Sequence, residues 1–205
     1  MSDAMVYQKD IEKALEVLNS GGIFLYPTDT VWGIGCDATN EKAVERIFAV
    51  KQRNEARALL TLVNGLDMLA EYVENIPSVA MELITDAMGM GQKGRGQAPP
   101  LRPLSIIYPK AKNLALNLIA DDGSIGIRVV NEPFCLQLIK SFGKPIVSTS
   151  ANISGETTPA TFDEISDEIK TRVDYIVRWR QDDREPAMAS SIIKLFDDGT
   201  VKTLR

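Results

Sequence analysis

Apolar residues recur at Ile11, Ala14, Leu15 and Leu18, the spacing of one helix face, and Gly21-Gly22 closes the run. The pattern predicts a helix over residues 8–19. Ile23-Phe24-Leu25-Tyr26, stopped by Pro27, reads as a buried strand. Asn40 stands where an N-cap belongs, before a helix over 41–50 that places Ala43, Val44, Ile47 and Phe48 on one face. A strand follows over 59–63, ended by an Asn64-Gly65 turn. The pattern then predicts a helix over 79–88, strands over 104–108 and 124–130, and a helix over 132–142 entered through Pro133. A strand over 145–149 runs into a polar loop. The next helix is expected over 161–170, with Asp163 and Glu164 early in it where the helix dipole favours acids. Short strands over 175–177, 190–195 and 201–204 finish the chain. Helices and strands interleave, and the last strands follow one another like a hairpin, so the expected class is α/β with a mixed sheet in one domain spanning 1–205.

Composition narrows the chemistry. The 205 residues, 44% of them hydrophobic and 25% charged, are enough for a core without disulfides or metal. There is no histidine, which excludes Ser-His and Cys-His nucleophiles, HExxH zinc sites and imidazole acid–base catalysis. Cys36 and Cys135 are too few for a four-cysteine zinc site and read as buried, reduced thiols of a cytoplasmic protein. No apolar run is long enough for a membrane span, and the N-terminus lacks an export signal pattern. The net charge of −5 argues against general nucleic-acid coating. Yet residues 89–120 hold five basic residues (Lys93, Arg95, Arg102, Lys110, Lys112) and no acid.

Four segments offer groups for chemistry, and each has a plainer alternative. Tyr26-Pro27-Thr28-Asp29-Thr30 places two hydroxyls and a carboxylate at a strand's end, either as a ligand edge or as a turn satisfying its own backbone. Lys51-Gln52-Arg53 and Arg57 suit polyphosphate, or form a solvated helix end. Ser148-Thr149-Ser150-Ala151-Asn152-Ile153-Ser154-Gly155 can donate to phosphate or carboxylate, or cap a turn. Arg128 stands inside an apolar strand, where a charge faces either water at an edge or a pocket in which it clamps a carboxylate. Gly89, Gly91, Gly94 and Gly96 have dinucleotide-fingerprint spacing, but they follow a helix and lead to Pro99-Pro100, the wrong context. Trp32, Trp179 and Phe48 read as packing residues.

Together these segments resemble the YrdC/YciO-type family. The matching stretches are Tyr26-Pro27-Thr28-Asp29-Thr30-Val31-Trp32-Gly33-Ile34-Gly35-Cys36-Asp37, then Lys51-x-Arg53, Gly126-Ile127-Arg128, and Lys144-Pro145-Ile146-Val147 leading into the Ser148 to Gly155 block. The resemblance implies a twisted mixed sheet with flanking helices around a large concave cavity. It implies a nucleotidyltransferase that joins L-threonine, bicarbonate or CO2, and ATP with Mg²⁺ into threonylcarbamoyl-AMP, releasing diphosphate. The product would serve N6-threonylcarbamoyladenosine formation at position 37 of tRNA through threonylcarbamoyl-transfer proteins. The alternative within the family is a non-catalytic, YciO-like protein that binds double-stranded RNA or tRNA.

The family's threonine positions fall on Thr30, Arg128, Ser148 and Ser190, and its nucleotide positions on Lys51, Arg53, Arg57, Ser124, Ser150, Asn152 and Thr158. The chemistry implied needs no protein nucleophile. The threonine nitrogen takes up CO2, and the resulting carbamate attacks the α-phosphorus in line. That leaves the protein positioning and charge stabilisation. Departures from the family pattern are Asn54 and Ala58, where prolines are usual, and Pro99-Pro100-Leu101-Arg102-Pro103-Leu104-Ser105 in place of a Trp-Pro-Gly-Pro-Leu-Thr stretch.

Overall fold

A computed structural model describes residues 3–52, 59–89, 103–184 and 189–205. Its first helix, α1 (Asp3–Asn19), buries Ile11, Ala14 and Leu18, as the spacing predicts. It starts five residues earlier than predicted because of tertiary packing. Tyr7 lies edge-on to Phe134 and Trp179, and its hydroxyl donates to the Pro133 carbonyl at 3.0 Å. The helix α2 (Glu41–Val50) begins where Asn40 accepts from the Ala43 N–H. Two shorter helices follow, α3 (Leu66–Tyr72) and α4 (Ser78–Ala87). Then comes α5 (Pro133–Phe142), capped by the Glu132 carboxylate on the Cys135 N–H and closed by Gly143 at φ 74°.

The strands are β1 (Phe24–Tyr26), β2 (Gly33–Gly35), β3 (Leu60–Val63), β4 (Leu104–Tyr108), β5 (Ile125–Val129), β6 (Ile146–Ser150), β7 (Tyr175–Ile176), β8 (Ser191–Leu195) and β9 (Val201–Thr203). They form one sheet in the order β7-β1-β2-β6-β3-β5-β4-β8-β9. The pairs β1/β7, β3/β5 and β4/β8 are parallel and the others antiparallel, so the sheet is mixed and twisted, with helices flanking it. No helix among the described residues is long and apolar enough to cross a membrane.

Two differences from the sequence reading have physical causes. The sequence pattern does not predict strand β2, because two of its three residues are glycine, which strands disfavour. The structure needs glycine at position 35: a Cβ there would lie 2.6 Å from the Tyr26 ring. The ring crosses β2 at this point, and its hydroxyl donates to the Val147 carbonyl on β6. The helix expected over 161–170 is corrected to α6 (Asp167–Arg172). Ser166 caps it instead, accepting from the Ile169 N–H. The preceding residues are held otherwise. Phe162 packs on Trp32, Glu164 accepts from the Ala160 N–H, and Asp163 pairs with Arg184.

The buried Asp10 ties α1 to the segment after β7. It accepts from the Tyr175 hydroxyl at 2.6 Å and from the N–H groups of Arg178 and Trp179 at 2.8 and 2.7 Å. Replacing Asp10 by Ala orphans these donors, and the expected loss is about 3 kcal/mol. Urea unfolding of Asp10→Ala checks this; an unchanged midpoint would refute it.

Candidate active site

The register of the sheet gathers the site. Ser148, Leu60, Gly126 and Ile107 are paired across β6, β3, β5 and β4, so they form one row on one face. Ser150 pairs with Gly33 two residues along β6, and Arg128 follows Gly126 by two on β5. Period-two alternation therefore points Arg128, Ser148 and Ser150 to the same side. Over this face lies a cavity of about 430 Å³ whose lining includes Thr30, Arg128, Ser148, Ser150, Thr158 and Ser190. A Cβ on Gly126 would come within 2.8 Å of the Leu60 side chain, so glycine keeps the floor low.

The charged centre is Arg128, whose side chain is 2% exposed. Its Nη2 lies 3.0 Å from Asp29 Oδ1, yet that oxygen accepts no aligned hydrogen bond and the arginine Nε donates to nothing. Burial raises the Asp29 carboxyl pKa, against the pull of Arg128, a backbone hydrogen bond and Arg180. The turn that presents Asp29 is set by Thr28. Its hydroxyl accepts from the Thr30 N–H, donates to the Val31 carbonyl and meets the Thr30 hydroxyl at 3.0 Å. The strand-end segment is thus a locked turn and a cavity wall at once. Arg180 braces it, donating to the Thr28 carbonyl while paired with Asp183 at 2.8 Å.

All four residues matched to threonine positions, Thr30, Arg128, Ser148 and Ser190, line the one cavity, as do Ser150 and Thr158 from the nucleotide set. Ser190 is anchored through a 3.0 Å hydroxyl contact with Ser105. Lys51 is not the solvated helix end that the plainer reading of its segment allows. It is 3% exposed, and its ammonium donates to the Ser150 and Asn152 carbonyls at 2.6 and 2.8 Å. It therefore holds the Ser150 loop from behind. Asn152 also works within that loop, donating to the Ile153 and Glu156 carbonyls. Ser124 immediately precedes β5, its N–H donating to Asp122 Oδ1, and is outside the cavity lining. Arg53, Arg57, Lys93, Arg95 and Arg102 lie outside the described residues.

Sequence reasoning missed Arg205 and Arg180. Arg205 lines the cavity and donates from Nε to the Ser190 carbonyl. Nothing local marks it; the antiparallel pairing of β8 and β9 brings it there. Arg180 carries φ 63°, a constraint invisible in the sequence. Among the described residues no group of three or more Cys, Asp or Glu side chains is arranged to hold a metal ion.

A twisted mixed sheet bearing a hydroxyl-rimmed hollow around a buried arginine defines a class of α/β ligand-binding proteins. The Sua5_yciO_yrdC family model, described as telomere recombination, matches residues 16–205, and this chain belongs to that family. The threonylcarbamoyl-AMP synthase of Pseudoalteromonas translucida is 33% identical over 170 residues, covering 83% of this chain and 86% of that relative. E. coli YciO superposes with a TM-score of 0.71 at 25% identity, over all of this chain and 89% of YciO. P. abyssi Sua5, solved in complex with L-threonine, gives a TM-score of 0.74 at 24% identity over 95% of this chain. The chain spans 53% of that longer protein.

Both cysteines are free and buried, and burial raises both thiol pKa values above the usual range, further from the reactive thiolate. Native protein should therefore resist a thiol reagent such as DTNB at pH 8, and both thiols should react after unfolding. Rapid labelling of either in the native state would contradict this.

Proposed function

We propose that this chain is a threonylcarbamoyl-AMP synthase, a nucleotidyltransferase acting on L-threonine, bicarbonate or CO2, and ATP. The carrying observation is that one cavity collects Thr30, Arg128, Ser148 and Ser190 together with Ser150 and Thr158. The P. translucida relative, which bears that name, supports the reading. Arg128 takes the threonine carboxylate, since a guanidinium in the cavity lining binds a planar anion well. That leaves the amino nitrogen free to become the carbamate. The hydroxyls of Thr30, Ser148 and Ser190 orient the amino acid.

The nucleotide lies beside it, towards Ser150 and Thr158, with Arg53 and Arg57 as the cations for its phosphates. Mg²⁺ arrives as part of the Mg–ATP substrate. Lys51 keeps the Ser150 loop in place and adds positive charge beneath it. Carbamate oxygen and α-phosphorus then meet as neighbours, and diphosphate leaves in line. Rate comes from proximity and charge, consistent with a chain that has no histidine. The product would serve tRNA threonylcarbamoylation in the cytoplasm, handed on by transfer proteins.

Purified protein with Mg–ATP should release diphosphate only when threonine and bicarbonate are both present. Release that ignores threonine would sink the proposal. Arg128→Ala should raise the threonine KM about 10- to 100-fold and leave the ATP KM within about twofold, the scale of a lost charge-assisted contact. Equal effects on both substrates would make Arg128 structural.

A further inference from the structure

A narrow crevice of about 20 Å³ adjoins the large cavity, with Pro27, Thr28, Thr30, Arg180 and Asp183 in its lining. Thr30 and Ala160 line both spaces, so the two share a wall, whereas Arg180 lines the crevice alone. The Arg180 backbone is left-handed, φ 63°, which is unfavourable for a side chain of this kind and persists where surrounding contacts enforce it. Two sets of contacts do so here. The N–H groups of Arg178 and Trp179 are held by the buried Asp10, and the Val177 N–H donates to the Leu25 carbonyl on β1, so Arg180 springs from a rigid base. The guanidinium then forks. Nε and Nη2 donate to Asp183 Oδ2 at 3.1 and 2.8 Å, while Nη1 donates to the Thr28 carbonyl at 3.2 Å and lies 3.6 Å from Glu132 Oε1.

The setting of Thr30 hangs on Thr28. The Thr28 hydroxyl has one proton, and the Val31 carbonyl 2.8 Å away can only accept, so the proton goes there. The Thr28 oxygen therefore accepts from its other two neighbours, the Thr30 N–H and the Thr30 hydroxyl, each at 3.0 Å. Main chain and side chain of Thr30 are thus both fixed to Thr28. These bonds are internal to the turn and give it its shape. The bond from Arg180 comes from outside the turn, 152 positions along the chain, and bears on where the turn stands against the cavity.

We infer that Arg180 is a positioning residue for the amino-acid substrate: by holding the Thr28 carbonyl it sets where the Thr30 hydroxyl stands in the cavity wall. This rests on the functional reading above and adds to it a residue that acts without touching substrate. The role belongs to the guanidinium's shape as much as to its charge. A lysine ammonium lacks the planar fork that spans Asp183 and the Thr28 carbonyl together. A contact displaced by about 1 Å is enough to spoil the fit of a substrate that is held by orientation.

The test is calorimetric titration of L-threonine and of ATP into the wild type, Arg180→Gly and Arg180→Lys. Glycine adopts the left-handed backbone without strain, so Arg180→Gly removes the side chain and keeps the chain path. It should bind threonine about tenfold more weakly and ATP within about twofold of wild type, with the thermal midpoint lowered by less than about 4 °C. Arg180→Lys should lose threonine affinity in the same way. In a Thr30→Ala background, where the hydroxyl is already gone, Arg180→Gly should weaken threonine binding by less than about twofold more. Equal losses for threonine and ATP would overturn the assignment, since Arg180 would then merely support the fold. Wild-type threonine affinity in either Arg180 variant would also overturn it, as would a full tenfold effect in the Thr30→Ala background. The two substitutions make different demands on the backbone, so if one fails to fold the other decides. Wild-type protein that binds ATP but no threonine would instead overturn the functional reading, and this inference with it.

Discussion

A guanidinium sealed into a sheet, with its neighbouring carboxylate close but not hydrogen-bonded, is the constraint around which this protein is arranged. Burying Arg128 costs several kcal/mol before any partner is counted. The fold bears that cost by placing Asp29 3.0 Å away on a turn that Thr28 locks and Arg180 braces. The same guanidinium lines the cavity, where a bound anion can meet it. The low floor at Gly126 and the serines of β6 give that molecule room and orientation.

The hydroxyl rim depends on a second, quieter device. Strand β6 ends at Ser150, and a chain leaving a strand would ordinarily be free to wander. Here the Lys51 ammonium, at the end of α2, grips the carbonyls of Ser150 and Asn152, while the Ser154 N–H donates to the Lys51 carbonyl. A lysine spent on backbone carbonyls contributes charge and rigidity together. This suits a reaction whose acceleration comes from holding two substrates side by side, with no attacking side chain to supply.

Much of this is legible in the sequence. The periodicity of residues 41–50 and the Asn40 cap gave α2 residue for residue, and the apolar run at 104–108 gave β4. The Tyr26 to Asp37 and Ser148 to Gly155 stretches together indicated the family and six of the residues that line the cavity. Other features left no local trace. β2 is two-thirds glycine, and α3 follows an Asn-Gly pair that reads as a turn. The first turns of α1 exist because Tyr7 finds Phe134 and Trp179, residues more than a hundred positions away.

Alone, the sequence determined the alternation of helices and strands and the absence of imidazole chemistry. It also determined which residue types were available for binding anions, because all of these follow from local spacing and composition. Only the tertiary structure decided that Arg128 faces a cavity and not a sheet edge, that Lys51 serves the loop, and that Arg205 joins the rim. Those outcomes depend on register and strand order, and both are fixed by long-range pairing that no short stretch of chain encodes.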